Sequence, residues 1–241
     1  HSMDRHFVEN DPEMNMPVIM ALITVWYGAF FNCCSHAVVP YSHRLRELPF
    51  YLQQLCMESL GKNITKDNDP VLTRTGEIVW GTVGTNSQHS YFQLLHQGTQ
   101  FVPIDFMVVA KTASRSINHN ERHNHLLANC LSQSLSLMEG SHENQEGHKN
   151  TTGNKPSNTL VIDQLDPFNL GNLIALYEHK TFVQSILWNI NAFDQWGVEL
   201  GKIVSKTVYG RLTSRNSSAE LDSSTENLIR LLKKGGSQKI K

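Results

Sequence analysis

The chain has 241 residues, of which 39% are hydrophobic and 18% are charged. That balance is typical of one medium-sized globular domain with a substantial core and an appended tail. The formal net charge is −1 at pH 7, so the composition indicates neither a nucleic acid nor an anionic membrane as a partner. A small anionic metabolite stays open as a ligand, because a few local donors can hold a phosphate.

Cysteine and histidine usage predicts neither a metal site nor a disulfide framework. The four cysteines contain no C-x-x-C pair, and the histidines between His119 and His148 show no recognisable ligand spacing. Reduced thiols are typical of cytoplasmic proteins, and the cytoplasm is the predicted location. The most apolar run, 17–31, is short for a membrane span and follows no basic segment, so it indicates a buried helix. His1-Ser2 before Met3 is typical of a cloning remnant.

Hydrophobic periodicity and turn residues predict helices that alternate with short strands. In chain order, the pattern first predicts a helix over 16–31, a strand over 37–39 and a helix over 48–59. A loop or weak hairpin over 61–76 follows, then a strand over 77–80, a helix over 88–97, a strand over 101–110 and a helix over 121–138. After a loop over 140–158, the pattern predicts a strand over 159–162, helices over 167–189 and 194–211, a linker over 213–226 and a helix over 227–234.

This alternation predicts an α/β fold in which a parallel sheet lies between helices on both faces. The continuously apolar stretch 106–110 is typical of a strand that is buried on both faces. Ligands of such sheets bind beyond the carboxyl ends of the strands. We expect residues 3–193 to form the α/β domain and residues 194–241 to form a C-terminal helical arm and tail.

The first segment with potential chemistry is 53–59, at the end of an amphipathic helix. It contains Gln54 and Glu58. A solvated surface carboxylate is the commoner state of a lone glutamate. The alternative role of Glu58 is that of a general base.

The second segment, 84–90, joins a glycine-bearing turn to the predicted helix 88–97. His89 would lie in the first helical turn, where the positive end of the helix dipole favours the neutral imidazole that proton transfer needs. The same pattern is also typical of a capping turn with a packed histidine. His96, two turns on, is more typical of a core residue.

The third segment, 193–202, predicts a helix that Asp194 caps. Gln195, Glu199 and Lys202 then share one face. The pair Glu199–Lys202 could be a surface ion pair of little energetic value, or Lys202 could donate to a substrate oxygen. Gly197 and Gly201 weaken a helix by about 1 kcal/mol each, which indicates close packing against another element or chain.

Taken together, the three segments resemble the glucose-6-phosphate isomerase family, in content and in order. Residues 193–202, F-D-Q-W-G-V-E-L-G-K, are nearly identical to the family's C-terminal signature. Residues 84–89, G-T-N-S-Q-H, resemble its G-T-N-x-Q-H segment. Residues 57–62, M-E-S-L-G-K, resemble M-E-S-N-G-K, with Leu60 in place of the usual asparagine. The similarity covers nearly the whole chain and implies a sugar-isomerase-like three-layer domain.

The resemblance implies interconversion of glucose 6-phosphate and fructose 6-phosphate, without a metal or organic cofactor. By this similarity, His89 and Lys202 assist ring opening, and Glu58 moves a proton between C2 and C1 through a cis-enediol. Gln54 and Gln195 match substrate-contacting glutamines. Family members are homodimers in which the matching histidine comes from the neighbouring subunit, so a dimer would hold the full constellation.

Two parts of the family pattern do not occur in this sequence. They are the Gly-Gly-Arg motif, whose arginine stabilises the enediolate charge, and the Ser/Thr-rich loop that holds the phosphate. We therefore interpret the chain as the C-terminal part of a subunit and expect it to be inactive by itself. The alternative function is a non-catalytic sugar-phosphate-binding module, although such a module needs no base. A secreted signalling role is also compatible with the resemblance.

Overall fold

Within the described residues, 1–111, 117–142, 146–213 and 220–235, four parallel strands form the centre of the computed structural model. The strands are β1 Ser35–Pro40, β2 Ile78–Trp80, β3 Ile104–Val109 and β4 Ser157–Ile162. The helices are α1 Ser2–Glu9, α2 Met16–Phe30, α3 Leu48–Leu52, α4 Gly84–Gln88, α5 Phe92–Gln97, α6 Ile117–Glu139, α7 Pro167–Leu187, α8 Glu199–Leu212 and α9 Ser223–Gly235. A π-helix, Gln53–Glu58, continues α3.

The sheet has the order β2-β1-β3-β4, and every neighbouring pair is parallel. Side chains alternate between its two faces, as the strand period requires. Val38 and Met107 join the core cluster that includes side chains of α3 and α7. Val39 and Phe106 join the cluster on the other face, with side chains of α5 and α6. The predicted α/β fold, with a parallel sheet between two helical layers, is confirmed.

Local sequence signals account for most of the strand and helix positions. All six residues of β3 are buried, as its apolar run predicts. Pro40 is the last residue of β1. Asp166 caps α7 by accepting a hydrogen bond from the Asn169 backbone at 2.8 Å. Helix α1 was not predicted, and the predicted helix 88–97 is wrong: two short helices, α4 and α5, occupy 84–97. Residues 143–145 of the predicted loop and 214–219 of the predicted linker lie outside the described residues.

A buried polar network lies between α7 and the amino ends of the strands. Asp105 accepts a hydrogen bond from Tyr177 at 2.8 Å and lies 3.0 Å from the ring of His36. Lys180 pairs with Glu77 at 3.3 Å. Burial alone would raise the pKa of Asp105, but the attraction of His36 and Lys180 holds it well below its ordinary value. Burial would likewise raise the pKa of Glu77, but the attraction of Lys180 and His36 holds it below its ordinary value.

Loss of the Lys180 charge should strongly destabilise the fold. The Lys180→Met variant leaves the buried Glu77 carboxylate without its cation, and breaking such a pair costs about 3–5 kcal/mol. Urea unfolding of the 241-residue chain measures this loss. The matched control is Lys111→Met, which breaks an exposed ion pair with Asp163 and should cost at most about 1 kcal/mol. Equal stability of the two variants would contradict the prediction.

The chain divides into two compact units, His1–Asp194 and Gln195–Lys241. The first unit contains the sheet and both core clusters. The second contains α8 and α9, and an ion pair of 2.9 Å joins Arg211 to Glu226. Among the described helices, none has both the length and the apolar character that a membrane crossing needs.

Candidate functional site

Gln54 and Glu58 lie on the π-helix, in a segment for which a regular helix was predicted. The helix widens after Leu52, and its wider turns continue to Glu58. Cys56 anchors this stretch, because it is buried and its Sγ lies 3.7 Å from the Thr181 hydroxyl. Gln54 is exposed and Glu58 is half-buried, so the two polar side chains, four residues apart, are directed away from the core. Such π-helical turns are frequent at functional sites.

The backbone that follows Glu58 adjoins the amino end of β2. A Cβ atom added to Gly76, two residues before β2, would lie 2.9 Å from the Leu60 carbonyl carbon. Gly76 also has φ +66°, so glycine suits both the conformation and the close approach. Leu60 itself is fully buried and belongs to the core cluster. Glu58 therefore lies near the amino edge of the sheet, whereas the general rule for such sheets predicted a site at the carboxyl edge.

His89 lies at the opposite, carboxyl edge of the sheet. The residue before it, Gln88, donates a hydrogen bond at 3.0 Å to the hydroxyl of Tyr41, and Tyr41 directly follows β1. A Cβ atom on Gly84 would overlap the Tyr41 ring, so this glycine permits the close packing that fixes α4. The imidazole of His89 is exposed, with no hydrogen-bond partner among the described side chains.

The predicted position of His89 within its helix is wrong. His89 caps the carboxyl-terminal end of α4, with its backbone N–H directed to the Asn86 oxygen at 3.2 Å. His89 therefore does not lie in the first turn of a helix, where the positive end of the helix dipole would favour the neutral imidazole. His96 is half-buried and lies outside both core clusters, and its ring lies 2.8 Å from Gln133 Oε1, so it is not the core residue that the pattern favoured.

The segment 193–202 starts its helix later than predicted. Asp194 does not cap it, because its carboxylate lies 3.1 Å from the Lys62 ammonium instead. Gln195 is exposed and precedes a 3-10 turn at Trp196–Val198, and α8 begins at Glu199. The three residues predicted to share one face therefore do not belong to one continuous α-helix.

Within the second unit, Lys202 forms an exposed ion pair of 2.5 Å with Glu199. This pair is the surface arrangement that was predicted as the alternative to a substrate-binding role for Lys202. The neighbouring glycines do not pack closely inside this chain: a Cβ atom on Gly197 or Gly201 would meet open space within the part that the structure describes.

Within the first unit, the structure brings the segment of Glu58 together with Asp194, the second residue of the segment 193–202. Lys62, in the M-E-S-L-G-K motif, contacts both the Glu58 carbonyl and Asp194. No role was predicted for Lys62. The M-E-S-L-G-K motif could have drawn attention to Lys62. However, Asp194, which Lys62 contacts, is 132 residues away in the chain, and no spacing rule connects the two positions.

The comparisons with known proteins agree with these motifs. A family model described as phosphoglucose isomerase matches residues 1–229. A glucose-6-phosphate isomerase from Pseudomonas fluorescens is 50% identical, over 95% of this chain and 44% of its own length. Another, from Shewanella pealeana, is 48% identical, over 98% of this chain and 46% of its own length.

Solved structures give the same result. The crystal structure of a glucose-6-phosphate isomerase from Chlamydia trachomatis matches with a TM-score of 0.83 and 36% identity, covering 96% of this chain and 44% of that one. A hypothetical protein from Thermus thermophilus shares the fold, with a TM-score of 0.66 and 22% identity over 85% of this chain and 47% of its own. The chain spans less than half the length of each of these proteins. Because the family model matches 229 of its 241 residues, the chain belongs to the phosphoglucose isomerase family.

Proposed function

We propose that this chain supplies part of the active site of an isomerase that interconverts glucose 6-phosphate and fructose 6-phosphate. The observation that carries the proposal is the meeting of two signature segments: the carbonyl of Glu58 and the residue before Gln195 bind the same ammonium group. Family membership over residues 1–229 supports the same reaction. The relatives are more than twice as long, so the activity is proposed for the full-length gene product.

In this proposal, Glu58 is the base that moves a proton between C2 and C1 of the open-chain sugar. One half-buried carboxylate suffices, since the proton leaves and returns on one face of the cis-enediol. Positioned proton transfer of this kind contributes roughly 10²–10⁴-fold in rate. Gln54, one helical turn from Glu58, and Gln195 contact the substrate, and Lys202 assists ring opening together with His89. The residues require no cofactor for these steps.

We further propose that the protein acts as a homodimer in which His89 completes the site of the second copy. The supporting observation is that His89 is exposed at the carboxyl edge, whereas Glu58 lies near the amino edge of the same sheet. Helix α8 and the turn before it also expose large apolar side chains: Trp196 is 77% exposed and Leu200 is 69% exposed. Apolar surface of this kind is typical of an interface.

The proposed location is the cytoplasm. The four cysteines, all of which lie in described parts of the chain, are free thiols, and reduced cysteines are the usual state in that compartment.

A coupled assay of fructose 6-phosphate conversion tests the function. We expect turnover by the full-length gene product and none by the 241-residue chain, whose sequence contains no Gly-Gly-Arg stretch to stabilise an enediolate. Binding of fructose 6-phosphate by the full-length protein without turnover would instead support the non-catalytic binding module. Turnover by the 241-residue chain alone would contradict the predicted inactivity.

A further inference from the structure

The ammonium group of Lys62 joins the two segments that carry Glu58 and Gln195. Its Nζ atom donates to the backbone oxygens of Glu58 at 2.7 Å and Ser59 at 3.0 Å, at the carboxyl-terminal end of the π-helix. The same atom donates to the Asp194 backbone oxygen at 2.9 Å and lies 3.1 Å from its carboxylate. One group therefore fixes the end of the base-bearing helix to the residue directly before Gln195.

The contacts of Lys62 use its full donor capacity. An ammonium group has three N–H donors, and four oxygen atoms lie within 3.1 Å of this one. The side chain of Lys62 is only 17% exposed and that of Asp194 is 32% exposed, so solvent screens this ion pair less than a surface pair. Removal of the amine would leave the backbone oxygens of Glu58, Ser59 and Asp194 without their shared donor, and the Asp194 carboxylate without its nearby cation.

The backbone that leads to Asp194 needs such an attachment. Asn189 has φ +53° and Phe193 has φ +62°, and such conformations persist only where surrounding contacts hold them. The start of this stretch is held by a separate set of bonds, from Lys66 N to Asn189 O at 2.7 Å and from Asn189 Nδ2 to Asp67 at 2.6 Å. The stretch is thus attached at two points, and Lys62 provides the one next to Gln195.

We propose that Lys62 is a positioning residue for the isomerisation. It holds Glu58 at a fixed distance from Asp194, without touching the reacting atoms itself. This inference rests on the proposed function. A displacement of a reacting group by about 1 Å can lower the rate about 10²-fold, so the effect of losing Lys62 falls on the chemical step rather than on substrate affinity.

The test is steady-state kinetics of the Lys62→Met variant in the full-length gene product. We expect kcat to fall about 10²-fold with little change in KM. The kinetic isotope effect with substrate deuterated at C2 should increase, because proton transfer becomes rate-limiting. Asp194→Asn, which removes the ion pair but keeps the backbone oxygen that Lys62 binds, should lower kcat by a smaller factor. The double variant should show no loss beyond that of Lys62→Met, because Lys62→Met already removes the ion pair.

The matched control is Asp67→Ala, which removes the other attachment of the same stretch. It should lower the thermal stability but leave kcat and the isotope effect unchanged, since its bond ends at Asn189, away from Gln195. If Lys62→Met does not fold, Asp194→Asn, which keeps the side-chain size and weakens the same attachment, should still lower kcat and raise the isotope effect, each to a smaller extent. If the wild type is active and these variants keep its kcat and isotope effect, this inference alone is overturned. If the wild type is inactive, the proposed function is overturned as well.

Discussion

We expect the Glu58→Gln variant of the full-length gene product to lose about 10²–10⁴-fold in kcat. Glutamine keeps the size of the side chain and can remain on the outer side of the π-helix, but it cannot accept the proton from C2. The substitution changes only the carboxylate, because the bond of residue 58 to Lys62, at 2.7 Å, uses its backbone oxygen. The thermal stability should therefore stay close to that of the wild type.

The matched control for this variant is Glu47→Gln. Glu47 precedes α3, at the other end of the same helical segment, and its side chain is 74% exposed. Loss of its charge should leave kcat unchanged. If Glu58→Gln retained wild-type turnover, Glu58 would no longer be the assigned base, even if the isomerase activity itself were established.

The second large effect is the recovery of activity when two inactive variants are mixed. Glu58→Gln and His89→Leu should each be nearly inactive as homodimers. In a mixed dimer, one site combines both substitutions, while the other combines the intact Glu58 of one copy with the intact His89 of its partner. Random pairing gives about half mixed dimers, each with one intact site of two, so about a quarter of the wild-type activity should return.

This recovery depends on the two residues acting from different copies. If Glu58 and His89 of the same copy formed one site, every site in the mixture would carry one substitution and no activity would return. The experiment needs exchange of subunits, by mild denaturation and refolding of the mixture or by co-expression. Each variant refolded alone is the control and should stay nearly inactive. A refolded mixture of either variant with wild type controls for losses on refolding, because half of its sites are intact with or without exchange.

Local patterns in the sequence determined the layered fold. The apolar run of β3, the end of β1 at Pro40 and the cap of α7 at Asp166 each depend on neighbouring residues, so spacing and residue type were sufficient to predict them. The motifs around Glu58, His89 and Lys202 likewise indicated the family, because the residue types alone carry that similarity.

The tertiary structure decided the details of the site. The widening of the helix before Glu58 accompanies a contact between Cys56 and Thr181, 125 residues away in the chain. Helix α4 ends at Gln88, whose side chain bonds to Tyr41, so His89 is at a helix end instead of a helix start. Asp194 pairs with Lys62 and does not cap α8.

These differences have one physical cause. A helix start or a strand needs only short-range hydrogen bonds and a periodic apolar face, both of which the sequence determines directly. The partner of a charged or polar side chain is decided by which distant segments the packed core brings within hydrogen-bond distance. The sequence by itself therefore determined the family, the layers and the candidate residues, whereas only the fold placed Glu58 and His89 at opposite edges of the sheet and joined Lys62 to Asp194.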